Sequence, residues 1–360
     1  MKEFKEVPWW KPESAGDELK NISDVIDRDY LNEGDITNTF EKKIAEFCEV
    51  KHCVAVTSGT AAIYLSLMAL GVGPGDEVIV PDMTFVATAN AVTMTGAKTV
   101  LVDVDRSTLT MCPKELEKNI TSNTKAIIPV HVSGRPGTIL EILDIAKKHK
   151  IEVVEDAAEA LGSKHINKFL GSFGKTGCFS LSPFKTISSG QGGLIITDDD
   201  AMATRLAELK DQGRPIRGTG GDDEHPSIGF NFKYTNLQAA VGIAQYKDIE
   251  YRLNKQRYIY EFYKNELKTV EEIELLPFDI KNGHVPLWSD AIASNRNKLV
   301  KYLETKNIHT RRFWHPIHTH KSYLSDESRF PISTELAYKA LWLPSAYQLV
   351  DEQLDFVSKE

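Results

Sequence analysis

The sequence predicts an α/β fold built on a largely parallel sheet, and three observations carry that expectation. Seven short β-rich runs recur between about residues 54 and 200. Several are continuous apolar runs of four or five residues, the pattern of strands buried on both faces. Helical stretches separate many of them, and β-then-α alternation favours parallel pairing under a helical cover.

The runs are "VAVTS", "DEVIVPD", "TVLVDVD", "TKAIIPVHV", "IEVVEDAA", "CFSLS" and "GLIITDD". After the first comes "TAAIYLSLMAL" (60–70), and before the fifth comes "ILEILDIAKKHK" (139–150), both with helical character. The last two runs flank Lys185 and stand only about ten residues apart. That is too short for a helical crossover, so they are expected to be antiparallel neighbours. "GRPIRGTGGDDEHPS" (213–227) is glycine-rich and polar and reads as a loop. "TNLQAAVGIAQYKDIEYRLNKQRYIYEFYKNEL" introduces a long charged helix. From about residue 250 to 360 charge and aromatic content rise, and this part reads as a smaller second domain.

The chain has 360 residues, 41% hydrophobic and 26% charged, enough for one large domain and a smaller one. A net charge of −8 gives no basic field for nucleic acid or an anionic membrane. The opening "MKEFKEVPWWKPES" lacks the apolar centre of a signal peptide. No apolar run approaches the roughly 18 residues that span a bilayer. Cys48, Cys53, Cys112 and Cys178 form no C-x-x-C pair or disulfide framework, which fits reduced thiols in the cytoplasm.

Lys185 lies between two runs that read as buried, in "CFSLSPFKTISSGQGG". "TSGTAA" (57–62) sets small hydroxylated residues and a glycine where a strand passes into a helix. Free amides and the positive helix end suit a phosphate there; a plain Ser/Thr N-cap is the competing reading. "IEVVEDAAEALG" ends a buried strand on Glu155-Asp156, at the edge of a parallel sheet where ligands bind. Alone, Lys185 could be a snorkelling structural lysine. Together, the three meet the needs of pyridoxal phosphate: an anion cradle, a carboxylate for the pyridine nitrogen and an amine for the aldehyde. Such a lysine can also move the proton between the substrate Cα and the cofactor.

The ordered motifs "YLNEGDITNTFEKKIAEFCEVKHCVAVTSGTAAIYLSLMALGVGPGDEVIVPDMTFVATANAV", "VEDAAEALGSKH", "GFNFKYTNLQAAVGIAQ" and "RRFWHPIH" span nearly the whole chain. The chain closely resembles the DegT/DnrJ/EryC1/StrS family of pyridoxal phosphate-dependent sugar aminotransferases. The resemblance implies the aspartate aminotransferase-like, fold-type-I architecture. This is a mostly parallel seven-stranded sheet with helices on both faces, plus a smaller C-terminal α+β domain. Residues 1–249 would form the large cofactor domain, with the segment 1–25 packing near the small domain of residues 250–360. It implies that Gly59, Thr60 and Ser180 hold the phosphate, joined by Asn231 of the neighbouring subunit. Phe85 would stack on the ring, Glu159 would lie near the ring hydroxyl, Asp156 would pair with the pyridine nitrogen, and Lys185 would bond the aldehyde. Arg135, Arg311, His315 and His318 are the substrate-binding candidates, and no metal is expected. The chain departs from the family at "KTISSGQGG", with Thr186 and Gln191, and at "GFNFKY", with Lys233 for arginine.

The expected activity is transfer of an amino group from L-glutamate to a keto-sugar, nucleotide-linked and with its keto group at C4 or C3, in surface-polysaccharide or related amino-sugar biosynthesis. The expected assembly is a cytoplasmic homodimer with shared active sites. Alternatives are transamination of a keto-sugar acid or small phosphorylated ketone, and a cofactor-binding regulator without turnover. For the regulator, the N-terminus is too short and acidic to be a DNA-binding segment. A dinucleotide-binding oxidoreductase is disfavoured because no G-x-G-x-x-G follows a strand.

Overall fold

The computed structural model describes residues 4–215 and 224–360, so the middle of the glycine-rich loop expected at 213–227 lies outside the described residues. Helices α1 (Glu18–Asp27) and α2 (Asp35–Phe47) lead into strand β1 (His52–Val56) and helix α3 (Gly59–Ala69). There follow β2 (Glu77–Pro81), α4 (Ala87–Met94), β3 (Lys98–Val102), α5 (Pro113–Asn119), β4 (Thr124–Ile127), α6 (Ile139–His149) and β5 (Glu152–Asp156). A small hairpin, β6 (Lys164–His165) and β7 (Lys168–Phe169), precedes β8 (Thr176–Ser180) and β9 (Gly193–Thr197). Helices α7 (Asp200–Lys210), α8 (Asn236–Lys247) and α9 (Ile249–Glu266) come next.

The seven expected runs are the seven strands of the main sheet, in the order β1-β9-β8-β5-β4-β2-β3. Strands β8, β5, β4, β2 and β3 pair in parallel, whereas β9 is antiparallel to both neighbours. The runs flanking Lys185 are thus antiparallel neighbours, as their short separation requires. Alternation along β2 shows why the runs are apolar throughout. Val78 and Val80 join the cluster under α3 and α4, and Ile79 faces the cluster of α5 and α6. A polar residue at either parity would be buried against a helix.

Strand β1 is an edge, and its outward groups are covered by side chains. Glu41 accepts the Ala55 amide at 2.8 Å, and the fully buried Lys210 ammonium donates to the Ala55 carbonyl at 3.0 Å. At Ala55 the pair takes the place of a neighbouring strand's hydrogen bonds and interrupts the edge.

The C-terminal part carries β10 (Ile273–Leu275), β11 (Ser289–Ala293), α10 (Arg296–Thr305), β12 (Arg311–Arg312), α11 (Pro331–Ala337), β13 (Ala340–Leu343) and α12 (Asp351–Lys359). Its antiparallel sheet runs β10-β11-β13-β12. The N-terminal segment lies along it. Val7 donates to Asn307 O and accepts from His309 N, at 2.8 and 2.9 Å. All five tryptophans of the chain, Trp9, Trp10, Trp288, Trp314 and Trp342, pack into one cluster between the two sheets.

Candidate active site

The carboxyl ends of the parallel strands and the start of α3 meet the β8–β9 turn around a cavity of about 320 Å3. The turn is held by its own backbone: Ser189 N donates to Leu181 O at 3.1 Å and Lys185 N to Ser182 O at 3.1 Å. Lys185 therefore projects inward with a side chain only 14% exposed. Its Nζ donates to Glu159 Oε1 at 3.1 Å and lies 5.2 Å from the centre of the Trp288 ring. The other Glu159 oxygen accepts the Ser133 amide at 3.0 Å, which fixes the carboxylate. A lysine among apolar strands is tolerated here because its charge is paired.

Asp156 ends β5 and points into the same cavity. Thr88 Oγ1 donates to its Oδ2 at 2.7 Å, and the Ala158 amide to its Oδ1 at 3.1 Å. Burial pushes this carboxyl above the usual range, against the pull of those two donors. Such a carboxylate gains from a cationic partner.

Ser58 caps α3 by accepting the Ala61 amide at 3.1 Å, and the first α-helical bond runs from Ala62 N to Ser58 O. The amides of Gly59 and Thr60 have no intrahelical acceptor and, with the helix dipole, form an anion cradle. Packing is tight at Gly59 and admits only glycine at Gly193. A Cβ on Gly59 would come within 3.0 Å of Ser180 Cβ, and one on Gly193 within 2.2 Å of Ser58 O. The sequence "TSGTAA" is thus an N-cap and a cradle at once.

Gly59, Thr60, Phe85, Asp156, Glu159, Ser180, Lys185 and Arg311 line one cavity, so the structure brings eight of the twelve candidates together. The other four lie elsewhere. Arg135 does not face the cavity: its guanidinium is buried, paired with Asp290 and stacked 4.1 Å from the Phe278 ring centre. The reason is local. Asp290 is buried and Arg135 is its cationic partner, while the other Arg135 N–H groups point to the Pro277 and Val132 carbonyls, so that arginine has no free donor edge for a substrate. His318 is buried too; its Nδ1 bonds Asp82 Oδ2 at 2.7 Å, its amide donates to Oδ1 at 2.8 Å, and its ring stacks on Phe330. It fastens the 311–320 segment to the end of β2. His315 is exposed outside the cavity. Asn231 is exposed as well, on a segment whose backbone bridges Asp211, and does not reach the cavity of its own chain. Lys233 pairs with Asp211 beside it.

Thr88, Phe184, Trp288 and Trp314 also line the cavity and were not singled out from the sequence. Thr88 had a signal, since it follows Phe85 in "DMTFVATAN" at one helical turn. The tryptophans had only the aromatic enrichment of the C-terminal part.

The donor set fits pyridoxal phosphate: a cradle for the phosphate, a buried carboxylate for the ring nitrogen and a buried amine for the aldehyde. No group of three or more metal-ligating side chains occurs among the described residues.

The family model described as the DegT/DnrJ/EryC1/StrS aminotransferase family matches residues 12–360. A GDP-perosamine synthase of Escherichia coli O157:H7 is 34% identical over 359 residues, covering 98% of this chain and 97% of that protein. The GDP-perosamine synthase of Caulobacter vibrioides is 34% identical over 360 residues, covering 96% and 95%. Among solved structures, S. venezuelae DesV in complex with a ketimine intermediate superposes with a TM-score of 0.91 at 30% identity, covering 95% of this chain and 92% of that one.

Proposed function

The chain belongs to the DegT/DnrJ/EryC1/StrS aminotransferase family and is a pyridoxal phosphate-dependent aminotransferase, and from that premise we propose that it moves the amino group of L-glutamate to the keto group of a nucleotide-linked deoxysugar. The observation that carries the proposal is Lys185 Nζ, held at 3.1 Å by Glu159 in a cavity that also contains Asp156 and the start of α3.

When bound, the cofactor supplies an aldehyde that takes up the amino group and a ring that accepts electrons as the Cα proton leaves. The chain's residues do the rest. Gly59 and Thr60 amides with the Ser180 hydroxyl hold the phosphate. Asp156, fixed through both oxygens, keeps a proton on the pyridine nitrogen. Phe85 covers the ring. Lys185 would bind the cofactor aldehyde and, once released, would serve as the base for the donor Cα proton, with Glu159 holding its amine in place. Arg311 offers a cation to a carboxylate inside the cavity. Trp288 and the partly buried Trp314 wall one side of the cavity, where charges act at short range with less screening than in water.

The names of the two relatives make a guanosine diphosphate-linked keto-deoxysugar the acceptor of choice. We take residues 1–249 as the cofactor domain and residues 250–360 as the smaller domain, in a cytoplasmic homodimer. No helix among the described residues is long and apolar enough to cross a membrane. The test is to bleach the visible cofactor band with L-glutamate and then supply a panel of nucleotide-linked keto-sugars, reading amino-sugar products by mass spectrometry. A mass change of keto to amino on a nucleotide sugar supports the proposal. Turnover with keto-acids or phosphorylated ketones alone would overturn it.

A further inference from the structure

We infer that the N-terminal strap Val7–Trp10 belongs to the active site, with Trp9 as the positioning residue that holds Arg311 ready for the carboxylate of the amino donor. This rests on the transaminase reading above and names the group that Arg311 receives.

The strap is fastened at both ends of its short run. Val7 is bonded on both sides to Asn307 and His309, and the Ser345 amide donates to Trp9 O at 2.8 Å. Trp10 Nε1 donates to Pro183 O at 3.1 Å, two residues before Lys185. One indole thus holds the lysine's turn while its neighbour reaches the arginine. Trp9 packs on Phe184 and Trp288, both of which line the cavity, with ring centres 5.7 and 5.6 Å away.

Arg311 sits inside this aromatic nest. Its guanidinium carbon lies 4.8 Å from the Trp9 ring centre, 5.5 Å from Trp342 and 5.7 Å from Phe184. Cation–π contact uses the faces of the guanidinium plane and leaves its in-plane N–H groups free. Among the described residues those N–H groups have no hydrogen-bond or ion-pair partner. The buried Trp288 indole N–H has no acceptor among the described residues either. Glu159, on the same cavity wall, bears on the guanidinium through space and makes no hydrogen bond with it, so this corner holds more donors than acceptors. A planar carboxylate matches a guanidinium edge with two parallel hydrogen bonds. The class of carboxylate follows from position. Arg311 shares a small cavity with Lys185, and in an amino acid the α-carboxylate is one bond from the carbon that loses its proton. The diphosphate of a nucleotide sugar is separated from the reacting carbon by the sugar ring.

The experiment compares Trp9→Ala and Trp9→Phe holoenzymes with the parent in each half-reaction. Trp9→Ala is expected to raise the KM for L-glutamate by about tenfold, the scale of one desolvated cation–π contact. The half-reaction with the keto-sugar should lose severalfold less than the glutamate half-reaction, since Trp9 supports the cavity wall through Phe184 and Trp288 but holds the cation for the donor's anion alone. Trp9→Phe should restore most of the donor affinity, because a ring face returns. Glutarate, a dicarboxylate with no amine to transfer, gives a second reading by calorimetry: its binding should weaken in Trp9→Ala and recover in Trp9→Phe. An unchanged donor KM, or equal losses in both half-reactions that phenylalanine does not repair, overturns the inference. The parent protein reports on the transaminase reading, and the ratio of variant to parent reports on the strap, so the two fail separately. Glutarate binding reads the strap even if the parent does not turn over.

Discussion

A lysine, an aspartate and a glutamate have three different relations to the same cavity, and burial separates them. Lys185 donates to Glu159, whereas Asp156 has only hydroxyl and amide donors and is pushed up by desolvation. Borohydride reduction of the yellow protein is expected to fix the cofactor on Lys185. Recovery of the adduct on Lys175 or Lys164 in peptide mapping would remove Lys185 from its role. Lys185→Ala should abolish transamination and leave the fold intact, since the side chain's one polar contact is to Glu159. Asp156→Asn is expected to retain cofactor and lose about a hundredfold or more in turnover, the scale of a misplaced proton. An amide cannot keep the ring nitrogen protonated, so the loss falls on the transition state more than on binding. An Asn variant that matched the parent in the glutamate half-reaction would show that Asp156 does something else.

Secondary-structure ends carry the joints between the two sheets. Asp103, just after β3, accepts the Ile332 amide at 2.9 Å and the Ser333 amide and hydroxyl at 2.9 and 2.7 Å. It caps α11 from a distant strand, and Pro331 at the first helical position loses nothing by lacking an N–H. Asp103→Ala should destabilise the protein by about 2 kcal/mol, near the upper range of a lost cap, because the orphaned donors are buried. A urea midpoint equal to the parent's would contradict that assignment. The seven main strands were legible because each is a continuous buried run, a pattern that survives in a single sequence. In the C-terminal part β12 has two residues and β10 only three, and β11 opens on the polar Ser289 and Asp290, whereas the apolar β13 carried the same signal as the main strands. Arg135 was misplaced among the substrate residues for a related reason. Its partner Asp290 is 155 positions away, and a loop arginine with such a partner reads like one without. Cofactor residues sit inside local motifs, whereas Trp9, Trp288 and Arg311 meet only through the fold.

One chain leaves its cavity open on a side that bears apolar surface. Phe85 lines the cavity and is 53% exposed, and Phe184 lines it at 41%. Rings that line a site yet face water are expected to be covered in the working assembly. The sequence resemblance implies that Asn231 would reach the neighbouring subunit's phosphate, and we propose that role for it, since it lies outside its own cavity. In a two-fold assembly the exchange is reciprocal, each chain giving one Asn231 and receiving one. The alternative is that Asn231 only supports its own turn against Asp211. Mixing distinguishes the two. Excess Lys185→Ala protein, combined with Asn231→Ala protein under conditions of subunit exchange, should form heterodimers. In each, one site combines the intact lysine of one chain with the asparagine given by the other. Activity should then rise above that of either parent variant, toward one working site per heterodimer. The arithmetic requires a clear cofactor defect in Asn231→Ala alone and labelled-subunit proof of exchange. With both in hand, no recovery of activity would falsify the shared site and return Asn231 to a local role.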